Sequence, residues 1–190
     1  MWYDRKEFYM SSFPTPLLKP LVHINPTSLE AWSSPGFVNI ASLAASSTST
    51  TWPSANLALF YPFRIFTPII VTLLYTYNGS VASGNLDVGI YDMDGNQIVS
   101  SGSTAQTGTS TIQELNISDT PLNPGKFYLA MAMDNTTGTI TRYAGPSNSE
   151  LTYLGIAQQA SAFPLPATAT PTTASVSNFP IFGLSTRTFV

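Results

Sequence analysis

Apolar and polar residues alternate with a period of two through the middle of the chain. Alternate residues of the run VTLLYTY, residues 71–77, share one face of an extended segment, because successive side chains of a strand point to opposite faces. The same alternation recurs over residues 86–91, 113–117 and 127–133. Turn-forming sequences such as NGS, DGN and NPG separate these runs. The pattern predicts an all-β fold, an antiparallel β-sandwich of jelly-roll-like form, over residues 56–190.

Residues 1–55 show neither a helical period nor a strand period. The prolines spread along this segment fix backbone angles and favour extended conformations in the residues before them. The sequence therefore predicts an extended, proline-rich N-terminal arm. Plain disorder is the alternative, but the segment contains more aromatic residues than a typical disordered tail. We expect the arm to dock on a partner and to serve in anchoring or assembly.

The C-terminal region, residues 160–190, changes character along its length. Its middle, PLPATATPTTAS, is rich in Thr, Ala and Pro and is typical of a linker. The apolar cluster FPIFGL that follows predicts a final strand that returns to the sheet. A second arm that reaches a neighbouring subunit is the alternative interpretation.

The stretch NLDVGIYDMDGN fits two incompatible structures, a calcium loop and a hairpin. An EF-hand loop needs a glycine at its sixth position and a bidentate Glu at its twelfth. Counted from Asp92, Gly95 stands at the fourth position and no Glu stands at the twelfth. A hairpin with Asp94-Gly95 as a two-residue turn fits better, and such a turn pairs Ile90 with Ile98. We therefore predict a turn and no metal site.

The remaining chemistry-bearing residues form no catalytic pattern. The single histidine, His23, lies in the predicted arm without a carboxylate pattern nearby, and the chain contains no cysteine. Asp87 and Glu114 lie outside the turns in which Asp ordinarily serves as a turn former. These two carboxylates are the basis for the weakest hypothesis, a polysaccharide depolymerase. We predict a non-enzymatic protein with no catalytic residue, no cofactor and no metal.

Charged residues are scarce: Asp, Glu, Lys and Arg make up 9% of the chain, against about 25% in ordinary domains. The net charge of −3 and the scattered basic residues argue against a nucleic-acid partner, which would need a basic stripe. The most apolar region, residues 57–77, is interrupted by Pro62, Arg64 and Pro68, so no membrane span is expected. Arg64 either pairs with Asp87 or lies at an edge, and we favour the edge.

Aromatic residues form 12% of the chain and supply the candidate contact residues. Flat rings stack on the C–H faces of sugars, and exposed aromatic residues also mark subunit interfaces. Cross-strand pairing within a sheet is the structural alternative for tyrosines on strands. The candidates for contact with a partner or a sugar are Trp2, Tyr3, Phe8, Tyr9, Trp32, Trp52, Tyr91 and Tyr143.

Several features taken together resemble a family of β-sandwich virion or tail structural proteins of tailed bacteriophages. They are the strand around YPFR, the hairpin from NGS to SGNLDVGIYD, the loop SSGSTAQTGTS, the strand PGKFYLAMAMD, and the closing PLPATATP and FPIFGL segments. These features span residues 55–184, and the N-terminal arm is not part of the match. The resemblance implies a virion component without a particular position in the particle.

The leading expectation is a non-enzymatic structural protein on the surface of a phage virion, displayed on capsid or tail and anchored there by its arm. Its partners would be other virion proteins and further copies of itself. The resemblance implies a homo-oligomer, trimers being common among displayed proteins of this kind. The alternative is a receptor- or carbohydrate-binding module of a tail fibre or spike, with a host-surface glycan as its ligand.

Overall fold

The structure is a computed structural model that describes residues 22–24, 47–143, 154–176 and 178–188. The regular elements of these residues are strands. In chain order they are β1 (Val22–Ile24), β2 (Ser47–Thr51), β3 (Ala58–Ile65), β4 (Ile69–Tyr77), β5 (Asn85–Tyr91), β6 (Gln97–Ser100), β7 (Thr104–Ala105), β8 (Ile112–Leu122), β9 (Gly125–Met133), β10 (Thr139–Tyr143), β11 (Ala157–Gln159), β12 (Thr172–Thr173) and β13 (Phe182–Thr188).

The strands of the described residues form three antiparallel sheets. A four-stranded sheet has the order β1-β13-β4-β8, and a two-stranded sheet pairs β10 with β2. A seven-stranded sheet has the order β12-β11-β3-β9-β5-β6, with β7 also paired to β5. The all-β, antiparallel fold predicted from the period-two pattern is therefore confirmed. The small β10-β2 sheet is an addition to the two stacked sheets that the sequence predicted.

The main hydrophobic core lies between the seven-stranded and the four-stranded sheets. Leu86, Val88 and Ile90 of β5 project into this core and have no exposed surface. The ring of Tyr61 on β3 meets the ring of Phe182 on β13 edge-on at a centroid distance of 5.2 Å, so an aromatic contact joins the two sheets. Burial of one large apolar side chain stabilises the fold by about 1.5–3 kcal/mol. This gain explains the apolar residues at alternate positions of these strands.

Strand β4 changes its inward face partway along its length. The register against β8 shifts between Val71 and Leu73, so Val71 faces the core before the shift, and Leu74 and Thr76 are fully buried after it. The sequence assigned one face to alternate residues throughout 71–77, and the structure divides that set. A β-bulge inserts one unpaired residue and so reverses the alternation. A period-two pattern alone does not reveal such a reversal.

A second, smaller core covers the other face of the seven-stranded sheet. Residues 160–170, called the strap below, cover part of this outer face. Ala162, Leu165 and Ala169 of the strap are buried in a cluster that includes Phe60 of β3 and the alanines of β9. The small side chains of the strap let its backbone approach the sheet closely. The interpretation of this Thr/Ala/Pro-rich stretch as a linker is therefore wrong for the strap.

The sandwich begins earlier in the chain than the predicted boundary after residue 55. Strand β2 pairs with β10 along its whole length, and Trp52 is buried in the main core. Strand β1 also lies within the predicted arm, and it pairs with β13 at the edge of the four-stranded sheet. The Ser and Thr residues of β2 lack the apolar alternation by which a strand is recognised in a sequence. The rest of the arm, residues 1–21 and 25–46, lies outside the described residues.

The C-terminal cluster FPIFGL leads into β13, where the sequence placed a returning strand. Strand β13 pairs with β4 on one side and with β1 on the other, so it is an interior strand of the four-stranded sheet. Phe182 and Leu184 have no exposed surface and pack into the main core. The two ends of the described chain therefore meet in one sheet.

Candidate functional site

Two of the predicted contact residues, Trp52 and Tyr91, lie inside the protein. Trp52 is 1% exposed, and its Nε1 donates a hydrogen bond to the carbonyl of Leu57 at 2.7 Å. Tyr91 packs edge-on against Phe60, and its hydroxyl donates to the carbonyl of Pro166 at 2.6 Å. Rings that are buried and hydrogen-bonded within the fold offer no face to a sugar or a partner. The structure thus corrects the assignment of both residues as contact residues.

Tyr143, at the end of β10, is half-buried. Its ring lies 6.2 Å from that of Phe179, which in turn packs against Tyr61 of the main core. Tyr143 therefore extends the core aromatic cluster outward, and it is the one predicted contact residue in the described part of the chain that keeps exposed surface. The other candidates lie outside the described residues: Trp2, Tyr3, Phe8, Tyr9 and Trp32.

Asp92 and Asp94 of the NLDVGIYDMDGN stretch lie in a hairpin turn between β5 and β6. The Asp92 carboxylate accepts hydrogen bonds from the backbone N–H groups of Asp94 at 3.0 Å and Asn96 at 2.8 Å, and from the Asn96 side-chain amide at 2.9 Å. These hydrogen bonds, led by those from Asn96, lower the pKa of the Asp92 carboxyl. The carboxylate thus organises its own turn, and the hairpin interpretation is confirmed.

The hairpin is longer than the predicted two-residue turn. Its loop comprises residues 92–96, and Ile90 pairs with Val99 instead of Ile98 because the register shifts beside Tyr91. Ile98 consequently lies outside the core, with 37% of its surface exposed. Within the residues that the structure describes, no group of three or more His, Cys, Asp or Glu side chains could hold a metal ion.

Asp87 is a carboxylate that the strap buries, and it is 1% exposed. One of its oxygens accepts hydrogen bonds from the hydroxyls of Ser100 and Ser101, and the other accepts from the backbone N–H of Leu165 at 3.0 Å. Burial raises the pKa of the Asp87 carboxyl, although the hydrogen bonds act in the opposite direction. The arrangement fixes the strap to β5 and to the end of β6.

Further hydrogen bonds hold the strap against the β5–β6 hairpin. The backbone N–H of Gln97 donates to the carbonyl of Ala167 at 2.9 Å, and the N–H of Ala169 donates to the carbonyl of Gly95 at 2.8 Å. The Gln97 side-chain amide also donates to the carbonyl of Leu165 at 3.2 Å. The strap thus satisfies main-chain groups of the hairpin that a free edge would leave to water.

The two carboxylates considered for glycoside hydrolysis are not brought together. Asp87 lies on the outer face of the seven-stranded sheet beneath the strap, whereas Glu114 is exposed on β8 of the four-stranded sheet. Stacked sheets are about 10 Å apart. The two side chains lie on the outer faces of the two sheets, so both sheets separate them. Glycosidases need their carboxyl groups within about 5–9.5 Å. Asp87 and Glu114 therefore do not form a glycosidase site.

Arg64 is exposed near the end of β3 and does not pair with Asp87, whose carboxylate is occupied beneath the strap. Its guanidinium carbon lies 5.0 Å from the ring centroid of Phe66. The side chain is exposed, but it lies near the end of an interior strand and not on an edge strand, because β3 runs between β11 and β9. Lys126 on β9, which lies directly opposite Arg64 in the antiparallel ladder, is also exposed. Sequence reasoning did not single out Lys126, because only the strand register places the two cations opposite each other.

The edges of the four-stranded sheet are formed by strands of very different length. Strand β1 has three residues and β8 has eleven. An edge strand exposes N–H and C=O groups that can pair with another chain, and charged side chains oppose such pairing. Strand β8 carries the exposed carboxylates of Glu114 and Asp119, whereas the opposite edge is occupied by a segment of the predicted arm. Within the described residues, the strand added to this sheet from the predicted arm is β1, which pairs with β13.

The fold and these surfaces define the class of the protein as an antiparallel β-sandwich whose larger sheet is partly covered on its outer face by the strap. In comparisons with known proteins, no protein-family model, curated protein or solved structure matches the chain. The described ranges contain no helix long and apolar enough to cross a membrane.

Proposed function

We propose that this protein is a non-enzymatic structural component of a tailed-phage virion, displayed on capsid or tail. The sandwich is its displayed body, and the N-terminal arm anchors it to neighbouring virion proteins or to further copies of the chain. The resemblance in residues 55–184 and the all-β fold support this role. Low charge and abundant hydroxyl side chains suit a body that packs among many neighbours in an assembly.

The observation that carries the proposal is the pairing of β1 with β13. Three residues of the predicted arm, Val22–Ile24, add a strand to the sheet in register with Leu184–Thr186. Strand addition provides affinity through main-chain hydrogen bonds. An arm that adds a strand to its own sheet has the backbone conformation needed to add one to a neighbour, and repetition around a symmetric particle multiplies such contacts.

Removal of residues 1–46 tests the anchoring role, because it deletes most of the predicted arm, including β1, but keeps β2 and Trp52. We expect the truncated protein to fold and to be absent from purified particles; Trp52 is its one remaining tryptophan, so folding is read from the blue-shifted emission of a buried indole. The measurement is the amount of tagged protein that co-sediments with particles. Normal incorporation of the folded, truncated protein contradicts the proposal.

A matched pair of double variants separates strand addition from other properties of the arm. His23→Pro combined with Ile24→Pro removes two successive backbone N–H groups of β1, and one of the two must face β13 because successive N–H groups of a strand point to opposite sides. His23→Ala combined with Ile24→Ala keeps the main-chain donors. We expect the Pro variant to reduce incorporation and the Ala variant to incorporate normally. Equal incorporation of both variants contradicts a role for strand pairing.

The alternative function, a receptor- or carbohydrate-binding module of a tail fibre or spike, has less support. Two of its described aromatic candidates, Trp52 and Tyr91, are buried. Of the eight candidates, Tyr143 is the one in the described part of the chain with exposed surface left for stacking. Binding of the purified protein to host cells tests this alternative, and a Tyr143→Ala variant that binds equally well would remove its remaining described candidate.

A further inference from the structure

Two cations lie side by side on the outer face of the seven-stranded sheet. Arg64 on β3 and Lys126 on β9 are directly opposed in the antiparallel ladder, and both are exposed. Opposed residues have Cβ atoms about 4.5–5.5 Å apart, and like charges in this relation are destabilising. The opposed charges therefore weaken the ladder at this point, although the guanidinium of Arg64 also contacts the ring of Phe66.

The fold supplies no countercharge to this pair within the part of the chain that the structure describes. Neither Arg64 nor Lys126 forms a side-chain hydrogen bond or ion pair there, and the guanidinium of Arg64 stands over Phe66 instead. The Asp87 carboxylate binds the strap, and the Asp92 carboxylate accepts the hydrogen bonds of its own turn. An anion from outside the chain would offset the repulsion and accept charge-assisted hydrogen bonds from both cations.

Aromatic surface borders the two cations. Phe66, in the connection between β3 and β4, is 45% exposed. Tyr128 lies two residues beyond Lys126 on the same face of β9, half-buried, with its ring edge-on to Phe60 at 6.2 Å. A guanidinium binds a carboxylate or a phosphate in a bidentate manner, and an exposed ring stacks on the C–H face of a sugar. The combination suits an anionic group carried by a saccharide.

We infer that Arg64, Lys126 and Phe66 form a binding site for an acidic saccharide, one that bears carboxylate or phosphate groups. Arg64 binds the anionic group through its fork of N–H donors, Lys126 adds a point charge, and Phe66 contacts the sugar ring. A nucleic acid is disfavoured, because the net charge is −3 and one pair of cations is not a basic stripe. The site lies within a single chain. The outcome of a binding experiment on the purified protein is therefore independent of whether the protein is a virion component.

Titration of the purified full-length chain with hexagalacturonate tests the site, since this oligosaccharide carries a carboxylate on every sugar. Calorimetry at low salt is the measurement, because screening is weak there. Neutral maltohexaose is the matched oligosaccharide, and a phosphorylated maltohexaose distinguishes a phosphate ligand from a carboxylate ligand. We expect at least one acidic oligosaccharide to bind and maltohexaose not to bind. Absence of binding by both acidic oligosaccharides overturns the inference, as does tighter binding of an oligothymidylate of equal length.

Three variants assign the binding to these residues. Arg64→Gln combined with Lys126→Gln should weaken binding by about tenfold or more, since two charged hydrogen bonds are lost. Phe66→Ala should weaken it by a smaller factor. Adding Glu114→Gln and Asp119→Asn to the Gln double variant restores the net charge of −3 without rebuilding the site, so we expect binding to stay weak. Recovery of affinity in this fourfold variant would show that overall charge controls binding and would overturn the inference.

The stability of the Arg64→Gln, Lys126→Gln variant gives an independent readout. Removal of two opposed like charges should leave the midpoint of thermal unfolding unchanged or raise it in the absence of ligand. Hexagalacturonate should raise the midpoint of the wild-type protein and not that of the variant, because a ligand stabilises the folded state to which it binds. A lower midpoint for the variant in the absence of ligand would show that the chain itself compensates these charges, and the inference would then be wrong.

Discussion

The outer faces of the two large sheets differ in how far their residues are buried, as strands β5 and β8 show. On β8, buried residues such as Gln113 and Leu115 alternate with exposed ones such as Glu114. On β5, six of the seven residues are buried, and Asp87 lies among them on the outer face. The strap causes this difference, because it packs over β3, β5 and β9 and does not extend to β8.

A polar residue in a strand does not always mark a face exposed to solvent, as the buried Asp87 of β5 shows. A half-buried antiparallel strand alternates apolar and polar residues, whereas a strand buried on both faces is apolar throughout. Strand β5 alternates apolar and polar residues like a half-buried strand, but it is buried on both faces. Burial of a carboxylate is costly unless hydrogen bonds compensate, and Asp87 receives them from Ser100, Ser101 and Leu165. The polar residue thus serves as an anchor for the covering segment.

The largest expected effect comes from removing a side chain on the covered face. Phe60→Ala should lower the free energy of unfolding by about 3–5 kcal/mol, because a fully buried ring would leave a cavity between sheet and strap. Glu114→Ala, on the exposed face of β8, is the control and should change it by less than about 0.5 kcal/mol. Urea denaturation measures both. Similar values for the two variants would mean that the strap does not make the outer face of the larger sheet a core.

A glycine pair isolates the contact between hairpin and strap. Gly95 and Gly102 both have a left-handed φ, of 86° and 66°, which costs any other residue about 1–2 kcal/mol. A Cβ on Gly95 would overlap the carbonyl oxygen of Ala169, whereas a Cβ on Gly102 meets nothing within 4 Å. Gly95→Ala should therefore destabilise by about 1–3 kcal/mol more than Gly102→Ala. Equal losses in urea denaturation would mean that the strap is displaced from Gly95 at no cost.

The smallest effect is a pH dependence that separates the buried aspartate from the exposed one. The folded state holds the proton of Asp87 more tightly than the unfolded chain, whose Asp pKa is about 3.9. As the pH rises from about 3.9 through the raised pKa, the wild type therefore loses stability relative to Asp87→Asn, by about 1.4 kcal/mol for each unit of pKa shift. Unfolding free energies measured across this pH range test the prediction.

Asp92→Asn is the matched control, and its pH dependence should have the opposite sign. The pKa of Asp92 is lowered in the folded state, so the wild type gains stability from this group as the pH rises through the lowered pKa towards about 3.9. The Asp92→Asn variant therefore becomes less stable relative to the wild type over that interval. Parallel curves for the two Asn variants would contradict the contrast between the buried and the exposed carboxylate.

Much of the strand layout could be predicted from local signals. The hairpin was recognised because the spacing around Asp92 and Gly95 fails a calcium loop and fits a turn. Its register could not be predicted, since the shift beside Tyr91 depends on how β5 and β6 pair. The pairing of Arg64 with Lys126 could not be predicted for a similar reason. In sequence 61 residues separate the two, and only the β3–β9 ladder places them opposite each other.

Side-chain alternation and turn residues are local properties of the backbone, and they were enough to predict that this chain is built from antiparallel strands. Which strands are buried on both faces depends on tertiary packing, because covering a face requires a segment distant in sequence. Leu165 covers Asp87 from 78 positions away, and no periodicity within β5 records that contact. The bulge that turns Leu74 inward has the same origin, since it arises from pairing with β8.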